Sequence, residues 1–227
     1  MKVTAVVDAS KTGTPISPHI YGQFLENLGD IINGSLWAEM LDDRKFFYPV
    51  DSSETLTPVN TRKMNRRRPV GPDEAVVMVA ADAYSGEHSP LIRLDGASPR
   101  GIRQAGLALR KGKGYTGRVV LAGDPLVRVR VSLIWRPGEG GSQTLEVGPV
   151  DGKFAKYPLA FTSGGDTDDG SLEITATGTG TFRVGAASLM PSDNIQGMRP
   201  DALQLLNWIR FRVRNGTPVP PAGPFPS

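Results

Sequence analysis

Val127-Arg-Val-Arg-Val-Ser-Leu-Ile-Trp135 decides the fold class. Val127, Val129, Val131, Leu133 and Trp135 occupy every second position, with Arg128, Arg130, Ser132 and Ile134 between them. A period of two puts the first set on one face of a strand and sends Arg128 and Arg130 outward. Working outward, similar short apolar runs cover 76–81, 102–109, 115–122, 144–150, 157–162, 172–177 and 181–187, parted by Gly, Pro, Asp and Ser. Many short strands at this spacing predict an antiparallel β-sandwich, jelly-roll-like in character.

The composition agrees. Of 227 residues, 39% are hydrophobic, enough for a core, while 27 glycines and 19 prolines speak against a helix bundle. There is no cysteine, which excludes disulfides, a thiolate nucleophile and Cys-ligated metal; with His19 and His88 as the two histidines, a His-rich metal site is excluded as well. No cofactor is expected. No apolar run approaches the roughly 18 residues of a membrane span, and Asp8 breaks the first apolar stretch before it could serve as a signal sequence. The expected location is therefore cytoplasmic, with no membrane partner.

Texture divides the chain into 1–48, which opens on a short strand; 49–74, a polar, basic, Pro-punctuated exposed connection; 75–190, the sandwich; 191–209, a helix signal; and 210–227, a Pro-rich tail. In the helix signal Pro200 suits a first turn, Asp201 favours the helix N-terminus, and Leu203 and Leu206 share a face.

Several motifs have ordinary readings. Gly112-Lys-Gly-Tyr-Thr-Gly117 has dinucleotide-loop spacing, but a strand follows where a helix N-terminus would be needed, so it reads as a glycine-rich hairpin turn. Arg62, Lys63, Arg66, Arg67 and Arg68 read as a solvated loop and not as a nucleic-acid patch, having no interleaved aromatics or groove-entering helix. Trp135 reads as core. Tyr84, Tyr115 and Tyr157 are open to sugar stacking. Asp193 reads as a helix cap or a buried pair. Glu26 and Glu39, 13 residues apart, are candidates for carboxylate chemistry. Glu26 follows Phe24-Leu25 and precedes Asn27-Leu28-Gly29, as a carboxylate at the C-terminal end of a barrel strand would.

Ile20-Tyr-Gly-Gln-Phe-Leu-Glu-Asn-Leu-Gly29, with Ser35-Leu-Trp-Ala-Glu-Met-Leu-Asp-Asp-Arg-Lys-Phe46, resembles the start of α-L-arabinofuranosidases of glycoside hydrolase family 51. Val184-Gly-Ala-Ala-Ser-Leu-Met-Pro-Ser-Asp-Asn-Ile-Gln-Gly-Met-Arg199, followed by 201–206, resembles their signature where the chain re-enters the barrel. The segment between is similar to the carbohydrate-binding-like insertion of some members.

The resemblance implies a mainly β chain: a sandwich inserted after the first strand of an incomplete (β/α)8 barrel. It also implies retaining hydrolysis of arabinofuranosides in the intact family, and it gives Glu26 the role of hydrogen-bonding an arabinose hydroxyl, as substrate binding and not as the catalytic acid. The family's acid/base glutamate follows an Asn, and this sequence contains no Asn-Glu pair. The family's Arg-aromatic-Pro-Gly-Gly-Asn run is missing, and from about Trp208 the match stops. The chain is thus expected to be a truncated, arabinofuranosidase-like protein, inactive alone. Its partner would be an arabinose-containing oligo- or polysaccharide, with self-association through an exposed barrel remnant near 24–28 and 203–209. The alternative is a stand-alone carbohydrate-binding sandwich; nucleic acid is the least favoured partner.

Overall fold

A computed structural model describes Ser10, Gly13, residues 36–53 and residues 67–205. Among the described residues, ten strands form two five-stranded antiparallel sheets. In chain order they are β1 (Arg68–Val70), β2 (Val76–Val79), β3 (Ser89–Asp95), β4 (Arg100–Leu109), β5 (Gly114–Gly123), β6 (Arg128–Ile134), β7 (Ser142–Val147), β8 (Ala155–Thr162), β9 (Thr167–Thr177) and β10 (Thr179–Pro191). One sheet has the order β1-β4-β9-β6-β7, the other β2-β3-β10-β5-β8. Only β2–β3 and β6–β7 follow one another within a sheet; every other connection changes sheet, the chain path that the jelly-roll reading calls for.

The period-two reading of 127–135 holds. Val129, Val131 and Leu133 are buried between the sheets, Arg128 and Arg130 are exposed, and β6 lies between β9 and β7. Ile174 of β9 pairs with Val131, and Ile92, Leu121, Phe182, Val184 and Leu189 complete the core from the second sheet. Outside, Arg130–Glu146 (3.4 Å), Arg103–Glu173 (3.6 Å) and Ser132–Thr144 (2.8 Å) are cross-strand polar pairs of a solvated face.

Three expectations change. The Gly112–Gly117 run is a turn but not a hairpin, because β4 and β5 belong to different sheets; Lys113 donates its N–H to the Arg110 carbonyl (3.0 Å) and the chain crosses over. β3 is a strand the periodicity missed: Ser, Pro and Asp at 89, 90 and 95 look like turn chemistry, yet Pro90 stands near the strand's start, where proline is tolerated. The stretch 49–74, read as exposed connection, contributes β1, buried Val50 and buried Arg67.

Residues 36–53 are likewise part of the sandwich's packing. β3 pairs with β10 only through Arg183. Beyond that point residues 40–44 run along β10, with Met40 N–H donating to the Leu189 carbonyl (2.9 Å) and Ala187 N–H to that of Arg44 (3.2 Å). Leu41, Phe46 and Val50 then enter the core. Gln104 of β4 ties this segment to the other sheet: its Oε1 accepts Asp42 N–H (3.1 Å) and its Nε2 donates to the Met40 carbonyl (3.3 Å). After β10 a helix begins at Pro200 and is described to Leu205. The described residues thus hold a sandwich and the start of one helix; the barrel stands on the resemblance.

Candidate functional site

The two sequence motifs that flank the sandwich meet in space. Trp37 and Met198 form an isolated antiparallel bridge, Ala38 N–H donates to the Gly197 carbonyl (2.9 Å), and Arg199 N–H to that of Leu36 (3.0 Å). Glu39 locks the junction. Its Oε2 accepts the Ser188 hydroxyl (2.6 Å), and its Oε1 accepts the N–H of Leu189 (2.9 Å) and of Leu41 (3.1 Å). Arg44 Nη1 lies 3.4 Å from Oε2. With only 6% of its side chain exposed and its oxygens engaged by four donors, Glu39 is a structural clasp and not a proton donor.

Beside the clasp lies an open cleft of about 620 Å³. Its walls are the 37–42 segment, the 106–108 end of β4, Lys113, and the 191–201 stretch that leads into the helix. Trp37 is 36% exposed there, its ring 3.6 Å from the point a Cβ on Gly197 would occupy. Two ion pairs edge the cleft, Lys113–Asp193 at 3.3 Å and Arg199–Asp201 at 2.6 Å. The Arg199 guanidinium, hydrogen-bonded to Asp201, holds that carboxyl below its usual range. Asn194 is committed to the loop: its Oδ1 accepts Gly197 N–H (2.9 Å) and its Nδ2 donates to the Pro191 carbonyl (2.7 Å). A polar rim around one indole surface can hold an amphipathic small molecule. Among the described residues no group of three or more acidic or His side chains is arranged to hold a metal ion.

Behind the clasp sits Arg67, 5% exposed, its guanidinium 4.7 Å above the Phe46 ring and near Asp43, Glu39 and Asp42. Burial pushes its pKa down to about 10, against the opposing pull of those carboxylates, first Asp43. Its Nε and Nη2 are buried without a hydrogen-bond partner. The solvated-loop reading therefore fails for Arg67: Phe46 draws the guanidinium inward as β1 begins.

The other sequence candidates are distributed unevenly. Glu26, the residue expected to grip arabinose, lies outside the described residues, as do 24–28 and 206–209 of the expected adhesive surface; Leu205 is half exposed. Asp193 is neither a cap nor buried, but an exposed partner of Lys113. Tyr115, 2% exposed, accepts Arg110 N–H on its hydroxyl (2.9 Å) and cannot stack on a ligand. Tyr157 is half-buried and donates to the Pro149 carbonyl (2.6 Å), and Tyr84 tilts against Phe154 with centroids 5.4 Å apart. Trp135 packs against the core as expected. The residue that sequence reasoning passed over is Trp37. It stands inside a quoted motif, but its exposure depends on a strand pairing with Met198, 161 positions away, that no local pattern announces.

No family model matches the sequence. The chain is 26% identical over 200 residues to an extracellular exo-α-L-arabinofuranosidase from Streptomyces chartreusis, an alignment covering 86% of this chain and 23% of the relative. The chain therefore spans about a quarter of the length of that curated relative. Its fold matches that of the arabinose-bound MgGH51 α-L-arabinofuranosidase with a TM-score of 0.57 at 15% identity, over 78% of this chain and 30% of the other. A second solved structure, TmCBM61 in complex with β-1,4-galactotriose, gives a TM-score of 0.46 at 16% identity, over 68% of this chain and 99% of the other. The resemblance to the N-terminal part of family-51 arabinofuranosidases, with an inserted sandwich, is borne out. A cytoplasmic location finds no support in a relative described as extracellular. No helix among the described residues is long and apolar enough to cross a membrane.

Proposed function

We propose that this chain, which resembles the N-terminal part of family-51 arabinofuranosidases, is the sandwich-bearing part of an arabinofuranoside-handling protein. The observation that carries the proposal is the pairing of Leu36–Met40 with Leu189 and Gly197–Arg199, which brings the segment downstream of Glu26 beside the helix that begins at Pro200. An insert that leaves a (β/α)8 barrel after its first strand and returns at its first helix hangs over the C-terminal face. Barrel substrates bind on that face. By the resemblance, Glu26 would accept a hydrogen bond from a hydroxyl of the arabinose ring.

Hydrolysis itself needs two facing carboxyl groups about 5–5.5 Å apart for retention. Glu39 is withdrawn from that work by its four donors, and no Asn-Glu pair supplies the family's acid/base residue. The purified chain is expected to release no nitrophenol from 4-nitrophenyl α-L-arabinofuranoside above the buffer rate, and to lose arabinose saturation-transfer signals on Glu26→Ala. Turnover above buffer would overturn the inactive assignment.

The cleft beside Trp37 favours a second reading, a carbohydrate-binding sandwich that recognises arabinose-containing polysaccharide without cleaving it. Retention in arabinoxylan affinity gels that survives Glu26→Ala supports this reading over the first. Equal migration in gels with and without polysaccharide counts against it.

A further inference from the structure

We infer that the outer face of the β2-β3-β10-β5-β8 sheet, where Arg118, Lys156 and Arg183 stand beside Tyr84, docks a uronate-bearing polysaccharide chain. This surface shares no residue with the Trp37 cleft. It rests on the reading above only in the choice of a polysaccharide among polyanions. The two outer faces of the sandwich differ in charge. In the other sheet β7 and β9 supply Glu146, Asp168, Asp169 and Glu173 to balance the arginines, and Arg103–Glu173 and Arg130–Glu146 pair across strands. Here β5, β8 and β10 carry Arg118, Lys156 and Arg183 and no acidic residue. No carboxylate among the described residues forms an ion pair with any of the three. Asp82, Glu87 and Asp151 lie in flanking loops. Arg93 of β3 is diagonal to Arg183, but it shares its end of the sheet with Asp95, paired to Arg100 (2.7 Å), and Asp124, which accepts Thr181 N–H (2.6 Å).

Strand register makes a row of the three. Arg118, Val120 and Ala122 alternate with core-facing Val119 and Leu121, so they point outward; Lys156 pairs with Val120 and Arg183 with Ala122. Cationic groups thus recur at two-residue steps, about 7 Å along β5, which suits a linear polyanion better than a single small anion. Arg183 is the fixed point of the row. Its guanidinium carbon lies 4.9 Å from the Phe154 ring centroid and its Nη1 donates to the Ala81 carbonyl (2.9 Å), which orients the fork toward a carboxylate. Tyr84 tilts against Phe154 over Gly185, where a Cβ would stand 2.5 Å from Tyr84 Cβ; the missing side chain seats the ring. That ring is 38% exposed, an amphipathic surface beside a guanidinium. A uronate residue has the matching parts, a sugar ring with an apolar face and a carboxylate. A single-stranded nucleic acid has the charge, but its successive bases need a series of stacking rings that this face lacks among the described residues.

The test measures retention of the purified chain in native gels containing polygalacturonate, its fully methyl-esterified form or single-stranded DNA. Polygalacturonate is expected to bind at least tenfold more tightly than the neutral ester or the DNA. Arg118→Glu combined with Lys156→Glu, both at exposed positions, should weaken that binding at least tenfold. Arg128→Glu combined with Arg130→Glu makes the same change of net charge on the other sheet and should leave binding within twofold. Arg183→Lys keeps the charge without the fork, and a loss of about threefold is expected. If the Arg118–Lys156 variant fails to fold by circular dichroism, Arg118→Gln replaces it, with a loss of about threefold expected. Equal losses from the two double variants would reduce the effect to net charge, and tighter binding to DNA would assign the row to nucleic acid. Either result overturns the proposal, as does absent binding to polygalacturonate. The readings above stand or fall separately, on arabinoxylan retention and Glu26→Ala.

Discussion

Replacing Glu39 by Ala tests whether the clasp holds the two flanking motifs on the sandwich. The wild-type carboxylate satisfies Ser188 Oγ, Leu189 N–H and Leu41 N–H at 2.6, 2.9 and 3.1 Å. Ser188 and Leu189 are buried, so water cannot take over their bonds, whereas Leu41 N–H is only partly enclosed. Leaving a buried donor unsatisfied costs about 1–3 kcal/mol; two such donors put the loss at roughly 4 kcal/mol. The Arg44 contact adds little, since that side chain is 36% exposed. Glu39→Gln separates charge from hydrogen bonding. Its oxygen can keep both backbone amides and its amide can donate to Ser188, so about 1–1.5 kcal/mol is expected. Urea unfolding gives both values. Hydrogen exchange at the Ala187 and Leu189 amides shows whether 36–44 opens locally before the sandwich does. A Glu39→Ala variant within 1 kcal/mol of wild type would refute the reasoning, and equal losses in the two variants would show that charge, not donor count, governs the junction.

Two further outcomes follow from packing and burial. Gly185 lies at the register shift of β10 beneath Tyr84 and Phe154, and a Cβ there would stand 2.5 Å from Tyr84 Cβ and 3.0 Å from Phe154 Cε1. Gly185→Ala is therefore expected to cost about 1–3 kcal/mol and to alter the near-UV circular dichroism as Tyr84 is displaced; an unchanged spectrum and midpoint would refute it. Arg67→Met exchanges a guanidinium with unpartnered Nε and Nη2 for an apolar chain of similar length, and is expected to stabilise or leave stability unchanged at pH 8, while Arg67→Ala destabilises by opening a cavity. The sign with pH follows from Arg67's folded-state pKa of about 10, below its ordinary value in the unfolded chain. Between those values the unfolded chain binds more protons, so wild-type stability gains from this group as pH rises past 10. Wild type should therefore gain stability relative to Arg67→Met over that range in urea titrations, and a relative loss would refute the buried-cation account.

Much of the sandwich was legible because a strand that buries one face must alternate. Val129, Val131 and Leu133 could be placed inside and Arg128 and Arg130 outside with no knowledge of their neighbours. The same rule failed where the local pattern was broken by residues that serve turns elsewhere. β3 carries Ser89, Pro90 and Asp95, and β1 is three residues long. It also overreached at Gly112–Gly117, since glycine spacing reports a turn but not whether the following strand joins the same sheet. The candidate site was less legible than the fold. Glu39 looked like a possible catalytic carboxylate and Tyr115 like a possible stacking surface until their partners, Ser188 and Leu189 in one case and Arg110 in the other, came into view.

What the sequence alone determined is the kind of structure, a two-layer antiparallel sandwich, and the family likeness of its two flanking motifs; both are written in residue order, through alternation and short contiguous runs. What only the tertiary structure decided is what those motifs do here. They close on each other across about 150 intervening residues, with Glu39 as the clasp and Trp37 left on a cleft wall. Burial, desolvation and hydrogen-bond satisfaction are properties of neighbours in space, and for Glu39, Arg67 and Trp37 those neighbours are distant along the chain or belong to another strand.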